Sequence, residues 1–166
     1  TVKMLIEQVV DKYRQKGLRA TSARFFNIYG PGQENAITYP GTVVTWMIRQ
    51  AQDTGKVPSP PGPARDFVYV GDVVDGLVTL MKKAHRSEDL HPAYNLGSGH
   101  SVALSRLARV VANSVGLPTL DPSADTVEAV ARDVSPGACL CRIGEEGWDP
   151  KVSLMDGIRN TVEAMR

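Results

Sequence analysis

Lys3, Asn27 and Arg65 are the side chains of this sequence whose types are best suited to direct chemistry. The guanidinium of Arg65 is planar and permanently charged, so it can present a fork of N–H groups to phosphate oxygens. The NH2 group of Asn27 can donate to the same kind of oxygen. The plainer interpretations are a surface pair between Lys3 and Glu7 at i,i+4, a turn closed by Asn27, and an ion pair between Arg65 and a neighbouring aspartate. The surrounding motifs have to decide between these alternatives.

Asn27 stands where a predicted strand becomes a turn. Residues 20–26 are rich in types that suit a buried, pleated surface, and Asn27, Gly30 and Pro31 are then expected to end the strand. At the carboxyl end of a parallel strand, such a turn is the usual ligand-binding position of an open α/β sheet. The sequence therefore predicts a binding site near Asn27.

Four motifs in the chain carry a family resemblance. They are Arg24–Pro31, Arg65–Asp72, Tyr94–Gly99 and Gly147–Pro150. In this order they closely resemble the carboxyl-terminal half of extended short-chain dehydrogenase/reductases, and more narrowly the NAD-dependent nucleotide-sugar epimerase/dehydratase family. The stretch from Tyr39 to Val44 is somewhat more similar to the UDP-glucose 4-epimerase-like branch than to the others.

The resemblance implies hydride chemistry with NAD as cofactor. Enzymes of this family oxidise a sugar carbon while a tyrosine takes the hydroxyl proton, and Lys3 matches the lysine whose charge favours the phenolate. Lys3 and Phe25 would lie beside the nicotinamide. The tyrosine would stand four residues before Lys3, and neither it nor a glycine-rich phosphate loop is present in the sequence. We therefore expect the 166-residue chain alone to be inactive.

The same resemblance assigns the substrate, a nucleotide-diphosphate sugar. Asn27 and Arg65 would bind its diphosphate, and Arg132 would be a second phosphate-binding arginine. Val43 and Val44, at the start of a predicted helix, would line the nucleotide-sugar pocket, although packing in the core explains these two residues at least as well.

Two stretches depart from the family pattern. Residues 57–63 contain four prolines, which exclude a central strand, favour an extended connection and put the pocket for the base in doubt. Cys139 and Cys141 stand two residues apart, and we expect them not to pair with each other. No second Cys pair and no metal-ligand spacing of histidines is present, so no metal is predicted.

Alternating helices and strands predict an α/β fold: the carboxyl-terminal part of a Rossmann-like parallel sheet together with a small α/β substrate-binding domain. We treat residues 1–166 as one unit in which 1–30 supply a Rossmann-layer helix and strand and 31–166 form mainly the substrate-binding region. Asp72 is expected to cap a helix with Asp75 at its third position, and Ser153 to cap the last helix.

Composition excludes several function classes. The chain is 42% hydrophobic and 22% charged with a formal net charge of +1, which gives no reason to expect nucleic acid or an anionic membrane as a partner. No apolar run reaches the roughly 20 residues that cross a bilayer. Together with the spacing of the two cysteines, this makes the cytoplasm the expected location.

Two functional hypotheses follow. The first is the substrate-binding portion of an NAD-dependent nucleotide-sugar epimerase/dehydratase, completed by a missing Rossmann segment or partner chain and forming a homodimer. The second is a non-catalytic binding or assembly module that kept the fold but lacks the tyrosine and the phosphate loop. Fold resemblance alone does not separate them.

Overall fold

The computed structural model describes residues 1–33, 42–86, 89–118 and 137–166. In chain order the elements of these residues are α1 Val2–Arg14, β1 Ser22–Phe25, β2 Asn27–Tyr29, α2 Val43–Thr54, β3 Arg65–Tyr69, α3 Val70–His85, β4 Ala93–Leu96, β5 Ser101–Val102, α4 Leu104–Val115, α5 Cys141–Glu145 and α6 Leu154–Ala164. The mixed α/β order confirms the predicted fold class. None of the helices in these ranges is long and apolar enough to cross a bilayer.

The strands form two small sheets. In the first, β1 and β4 are parallel, and in the second β2 is parallel to β3 while β5 is antiparallel to β3. The chain passes from one sheet to the other at Phe26, whose N–H donates to the carbonyl of Leu96 (3.1 Å). Residues 56–64 form no strand, as the prolines predict.

The expectation that Asn27 ends a strand is wrong. Asn27 begins β2 and pairs in register with Phe67, while its side-chain Nδ2 donates to the carbonyl of Asp66 (2.8 Å). The chain turns only at Gly30, where an added Cβ would collide with Val70 Cγ1. A glycine is needed there because the backbone passes directly against the first residue of α3.

Two apolar cores hold these elements together. The larger one lies among α2, α4 and α6 and includes Tyr29 and Phe67 from the second sheet. The smaller one joins the first sheet to α3 and α5 and contains Tyr94, Leu96 and Trp148. The second sheet contributes to both cores, because Val68 of β3 is buried in the smaller one.

Helix α1 contributes no buried residue to either core. Its sequence has the expected helical spacing of apolar residues, yet the side chains along that stripe are mostly more than half exposed, for example Leu5 at 61% and Val9 at 55%. An apolar stripe at this spacing is typical of a helix that packs on something. The described residues of the chain leave it uncovered.

Asp72 does not cap α3 as predicted. The N-cap position is occupied by Tyr69, three residues earlier, and the helix begins at Val70, so Asp72 stands inside the first turn. Its buried carboxylate accepts the backbone N–H groups of Lys151 (3.2 Å) and Val152 (3.0 Å), and its carbonyl accepts the indole N–H of Trp148 (3.0 Å). The aspartate therefore links α3 to the segment before α6.

Helix α6 is capped as expected. The hydroxyl oxygen of Ser153 accepts the N–H of Asp156 (3.2 Å), and the hydroxyl donates to the carboxylate of Asp156 (2.6 Å). The signal was local, because cap and partner are three residues apart.

The expectation that Cys139 and Cys141 do not pair is also wrong. The structure joins their sulfur atoms in a disulfide. Their Cα atoms are 5.6 Å apart, inside the range that disulfides span. Spacing alone misled the prediction, because the chain bends into α5 at Cys141 and brings the two side chains to the same side.

Among the carboxylates of the described residues, that of Asp66 accepts the most hydrogen bonds. It is 3% exposed. Its two oxygens accept the N–H of Ser98 (2.7 Å), the hydroxyl of Ser98 (2.8 Å), the N–H of Gly99 (2.9 Å) and the N–H of Ala138 (2.8 Å). One side chain in β3 thus fixes the turn after β4 and the chain before α5.

A second polar cluster lies between α3, β4 and α5. Glu146, with a side chain 5% exposed, forms an ion pair with Lys83 and accepts the hydroxyl of buried Tyr94 (2.7 Å). Burial alone raises the pKa of the Glu146 carboxyl, but the hydrogen bonds from Lys83 and Tyr94 outweigh it and hold that pKa below its ordinary value. The cluster therefore favours the ionised carboxylate.

Asp66→Asn should lower the free energy of unfolding by about 2–4 kcal/mol, because the amide turns an NH2 group towards backbone donors and leaves them unpaired. Urea denaturation at pH 7 measures this. Asp75→Asn makes the same chemical change at an exposed position on α3 and should stay within about 0.5 kcal/mol of the unmodified protein. Equal stability of the two variants would contradict the role given to Asp66.

Glu146→Gln should destabilise the protein at neutral pH and much less in acid. A group whose pKa is lowered by folding stabilises the fold above its unfolded pKa, about 4.3 for glutamate. That contribution is lost as the pH falls through the lowered pKa. The measurement is the difference in unfolding free energy between the two proteins from pH 7 downward, with Glu145→Gln at the exposed neighbouring position as control. A difference independent of pH would contradict the assignment.

Candidate functional site

Lys3 and Phe25 line one open cleft between α1 and β1, with a volume of ≈ 420 Å³. Lys3 stands in the first turn of the helix, and Phe25 is the last residue of the strand. The Phe25 side chain is 47% exposed, which is unusual for an aromatic residue at the end of a packed strand. The structure therefore brings together the two residues assigned to the cofactor.

Glu7 does not pair with Lys3. Its carboxylate accepts two N–H groups of Arg24 (2.8 and 2.6 Å), which joins α1 to β1. The hydrogen bonds from Arg24 lower the pKa of Glu7. Within the described ranges Lys3 has no ion pair, so the surface pair that the sequence suggested is replaced by a contact between two elements.

Asn27 and Arg65 lie at the neighbouring strands β2 and β3. The hydrogen bond from Asn27 to the Asp66 carbonyl uses one of the two protons of its NH2 group, so the other is still available as a donor. Arg65 begins β3, is exposed, and pairs in register with Val102 of β5. Phe26 is the single residue between Asn27 and Phe25, which lines the cleft.

Arg65 forms no ion pair with Asp66 or Asp72. The carboxylates of both aspartates are buried and accept backbone N–H groups from other segments. The structural explanation for Arg65 is thus not found among the described residues. A guanidinium at the start of a strand, exposed and without these partners, can present its N–H fork to an anion.

Val43 and Val44 differ in their surroundings. Val44 is fully buried in the larger core, whereas Val43 is partly exposed beside it. Packing therefore accounts for Val44, and the pocket-lining role of both valines stays a prediction. Arg132, the expected second arginine, lies outside the described residues.

Sequence reasoning missed two contacts of the site. The ion pair between Glu7 and Arg24 joins residues 17 positions apart, and no local pattern marks it. The role of Asp66 left a signal, because an acidic residue in an otherwise apolar strand is costly to bury unless it is fully bonded.

The arrangement offers cationic groups to an anion and an aromatic face to a flat ring, and none of the four side chains placed here is a redox group. An exposed ammonium and an exposed aromatic ring line one cleft, the amide of Asn27 follows Phe25 two residues along the chain, and the guanidinium of Arg65 begins the strand that pairs with β2. No cluster of three or more metal-ligating side chains is found in the described part of the chain. Hydride transfer here would need a bound cofactor.

Comparison with known proteins identifies relatives along most of the chain. Residues 1–97 match the model of the "NAD dependent epimerase/dehydratase family". The chain is 34% identical over 160 residues to a GDP-L-fucose synthase of Sinorhizobium fredii, which covers 91% of the chain and 48% of the relative. It is 30% identical over 141 residues to a dTDP-L-rhamnose 4-epimerase of Burkholderia thailandensis, and this match covers 81% of the chain and 36% of the relative.

Solved structures give the same result for the fold. A UDP-glucose 4-epimerase of Thermotoga maritima with UDP-glucose superposes with a TM-score of 0.73 at 26% identity, covering 96% of this chain and 50% of that one. The UDP-glucose 4-epimerase of Thermus thermophilus with NAD superposes with a TM-score of 0.68 at 26% identity, and the match covers 95% of this chain and 50% of that one. The chain spans half the length, or less, of the relatives it matches. The match over residues 1–97, with these relatives and this fold, shows that the chain belongs to the NAD-dependent epimerase/dehydratase family.

Proposed function

We propose that this chain is the carboxyl-terminal, substrate-binding portion of an NAD-dependent nucleotide-sugar epimerase/dehydratase that acts by transient hydride transfer at a sugar carbon. The observation that carries the proposal is the arrangement of these four side chains. Lys3 and Phe25 share one cleft, Asn27 follows the strand switch at Phe26, and Arg65 begins β3, the strand that pairs with β2. A cofactor ring and a substrate diphosphate would thus be neighbours.

The residues present fit one part of NAD. The ammonium of Lys3 and the ring of Phe25 suit the nicotinamide end, where the cleft is open. NAD, when bound, would accept and return the hydride. The positive charge of Lys3 would stabilise the phenolate of a tyrosine supplied by the preceding segment. No glycine-rich loop for the phosphates of NAD occurs in these 166 residues.

The exposed face of α1 supports a preceding segment that completes the fold. Apolar side chains at helical spacing are exposed along this helix, and relatives are at least twice as long as the matched region. In this proposal residues 1–30 belong to the Rossmann layer and 31–166 mainly to the substrate-binding region. Because β4 pairs with β1, residues 93–96 would join the Rossmann layer as well.

The substrate class follows from the relatives and from Arg65. Their names include sugars linked to dTDP, GDP and UDP, which share a diphosphate and differ in the base. The guanidinium of Arg65 would bind the diphosphate that these substrates share, through paired N–H donors, and would not distinguish their bases. The stretch from Tyr39 to Val44 is somewhat more similar to the 4-epimerase branch than to the others, and we expect the protein to work as a homodimer.

Arg65→Ala should weaken binding of UDP-glucose or another accepted nucleotide sugar by roughly 2–5 kcal/mol in the whole natural protein, because a diphosphate would lose its bidentate partner. Isothermal titration calorimetry measures the affinity. Arg19→Ala is the matched control, since Arg19 is exposed before β1, at the opposite end of the strand. An unchanged affinity in Arg65→Ala would remove this residue from the site.

Lys3→Met should lower kcat by on the order of 10²-fold or more in the whole natural protein, while the urea midpoint changes little because Lys3 is exposed. Loss of the charge should also move the pH–rate profile towards higher pH. Lys12→Met, on the same helix and equally exposed, is the control for the loss of a surface lysine.

Both variants require the whole natural protein, so the first measurement is the intact mass of the protein in its source. A mass near roughly 35 kDa, with a preceding half of about 150 residues and a tyrosine four positions before Lys3, is expected. A mass near 18.0 kDa would overturn the catalytic proposal and favour the binding or assembly module.

A further inference from the structure

Cys139 and Cys141 form an exposed disulfide at the start of α5. Neither residue belongs to the cleft of Lys3 and Phe25 nor to the strand edge of Arg65. The proposed hydride chemistry makes no use of them. Their function has to be sought in their own surroundings.

The disulfide contributes little to holding the fold together. It closes a loop between residues only two positions apart, and the stabilisation by a disulfide falls as the loop becomes shorter. The flanking chain is already fixed by other contacts. Ala138 donates its N–H to Asp66 (2.8 Å), and Ile143 is buried in the smaller core. A structural role therefore does not explain this bond.

The surface around the pair is basic. Arg24 and Arg142 line the same cleft as the two cysteines, with a volume of ≈ 280 Å³, and the other lining residues are Ala93 and Asn95. Arg24 is shared with Glu7, whereas Arg142 donates only to the carbonyl of Ala93 (3.2 Å) among the described hydrogen bonds. Guanidinium groups beside solvent-exposed sulfur atoms would attract a negatively charged reagent to them.

We propose that Cys139 and Cys141 form a reversible thiol–disulfide exchange site whose co-reactant is a small anionic disulfide of the glutathione type. The cleft is open, so such a molecule can reach the sulfur atoms, and its carboxylates match the guanidinium groups beside them. The proposal is independent of the proposed epimerase activity.

The exchange balances without a further reactant. In the reduced protein one cysteine thiolate attacks a sulfur atom of glutathione disulfide, forms a mixed disulfide and releases one glutathione thiolate. The second cysteine thiolate then attacks the protein sulfur of the mixed disulfide, closes the Cys139–Cys141 bond and releases the second glutathione thiolate. The two protons lost by the cysteines go to the two leaving thiolates. The protein dithiol is oxidised and glutathione disulfide is reduced.

The test starts from the fully reduced protein, which is mixed with glutathione disulfide, quenched with acid and weighed by intact mass spectrometry. We expect the mass to fall by two hydrogen atoms, with both thiols lost, and reduced glutathione in excess to reverse the change. Cys139→Ser and Cys141→Ser should each accumulate one bound glutathione, because no second thiol is present to close the ring. A lasting glutathione adduct, a cross-linked dimer or no reaction in the unmodified protein would overturn the proposal.

Arg142→Gln tests the preference for an anionic partner. It should slow exchange with glutathione disulfide several-fold and leave the rate with neutral hydroxyethyl disulfide nearly unchanged. The neutral reagent controls for any loss of structure when the hydrogen bond to Ala93 is removed, and Arg159→Gln controls for removal of a distant exposed arginine. Equal slowing with both reagents would overturn the anionic preference.

Discussion

The buried carboxylate of Asp66 is the interaction on which most of this structure depends. A charge in the interior is tolerated only when its oxygens are bonded, and here four donors from two other segments meet them. Gly97 is required beside it, because an added Cβ would lie 2.9 Å from its Oδ2 and against Ala138. Its neighbours differ in burial: Arg65 is exposed at the start of the strand, whereas Phe67 enters the larger core.

The helices were predictable because their signals are local. Helices were expected at α1, near Val43, after Asp72 and after Ser153, and the Ser153 cap was recognisable because its partner Asp156 is three residues away. The wrong predictions concern residues whose hydrogen-bond or strand partners are distant in sequence. Asp72 is a residue type that often caps helices, but its carboxylate instead accepts the backbone N–H groups of Lys151 and Val152, about 80 positions away. Asn27 has the sequence of a strand end but joins β3, a pairing that no local pattern contains.

The site was predictable only in part, and for the same reason. A family resemblance named Lys3 and Phe25 as neighbours, and the structure places both on one cleft. The ion pair of Glu7 and Arg24, which lines that cleft, requires α1 to lie against β1, and no local spacing in the sequence predicts it. For the cysteine pair, the sequence predicted that a contact is absent where the structure has one. The short spacing argued against a disulfide, but the bend of the chain into α5 permits the bond.

Helix α1 links stability to chemistry. Both cores close without it, and its apolar stripe is exposed, so the folded chain carries an uncovered surface on the helix that also bears Lys3. Burying each large apolar side chain of such a stripe is worth roughly 1.5–3 kcal/mol. In the proposed enzyme, the segment that covers Leu5 and Val9 also supplies the tyrosine and the remaining wall of the cofactor cleft. The free energy that docks this segment would then be the same free energy that sets the distance between the tyrosine and Lys3, so the active site would form only when the fold is complete.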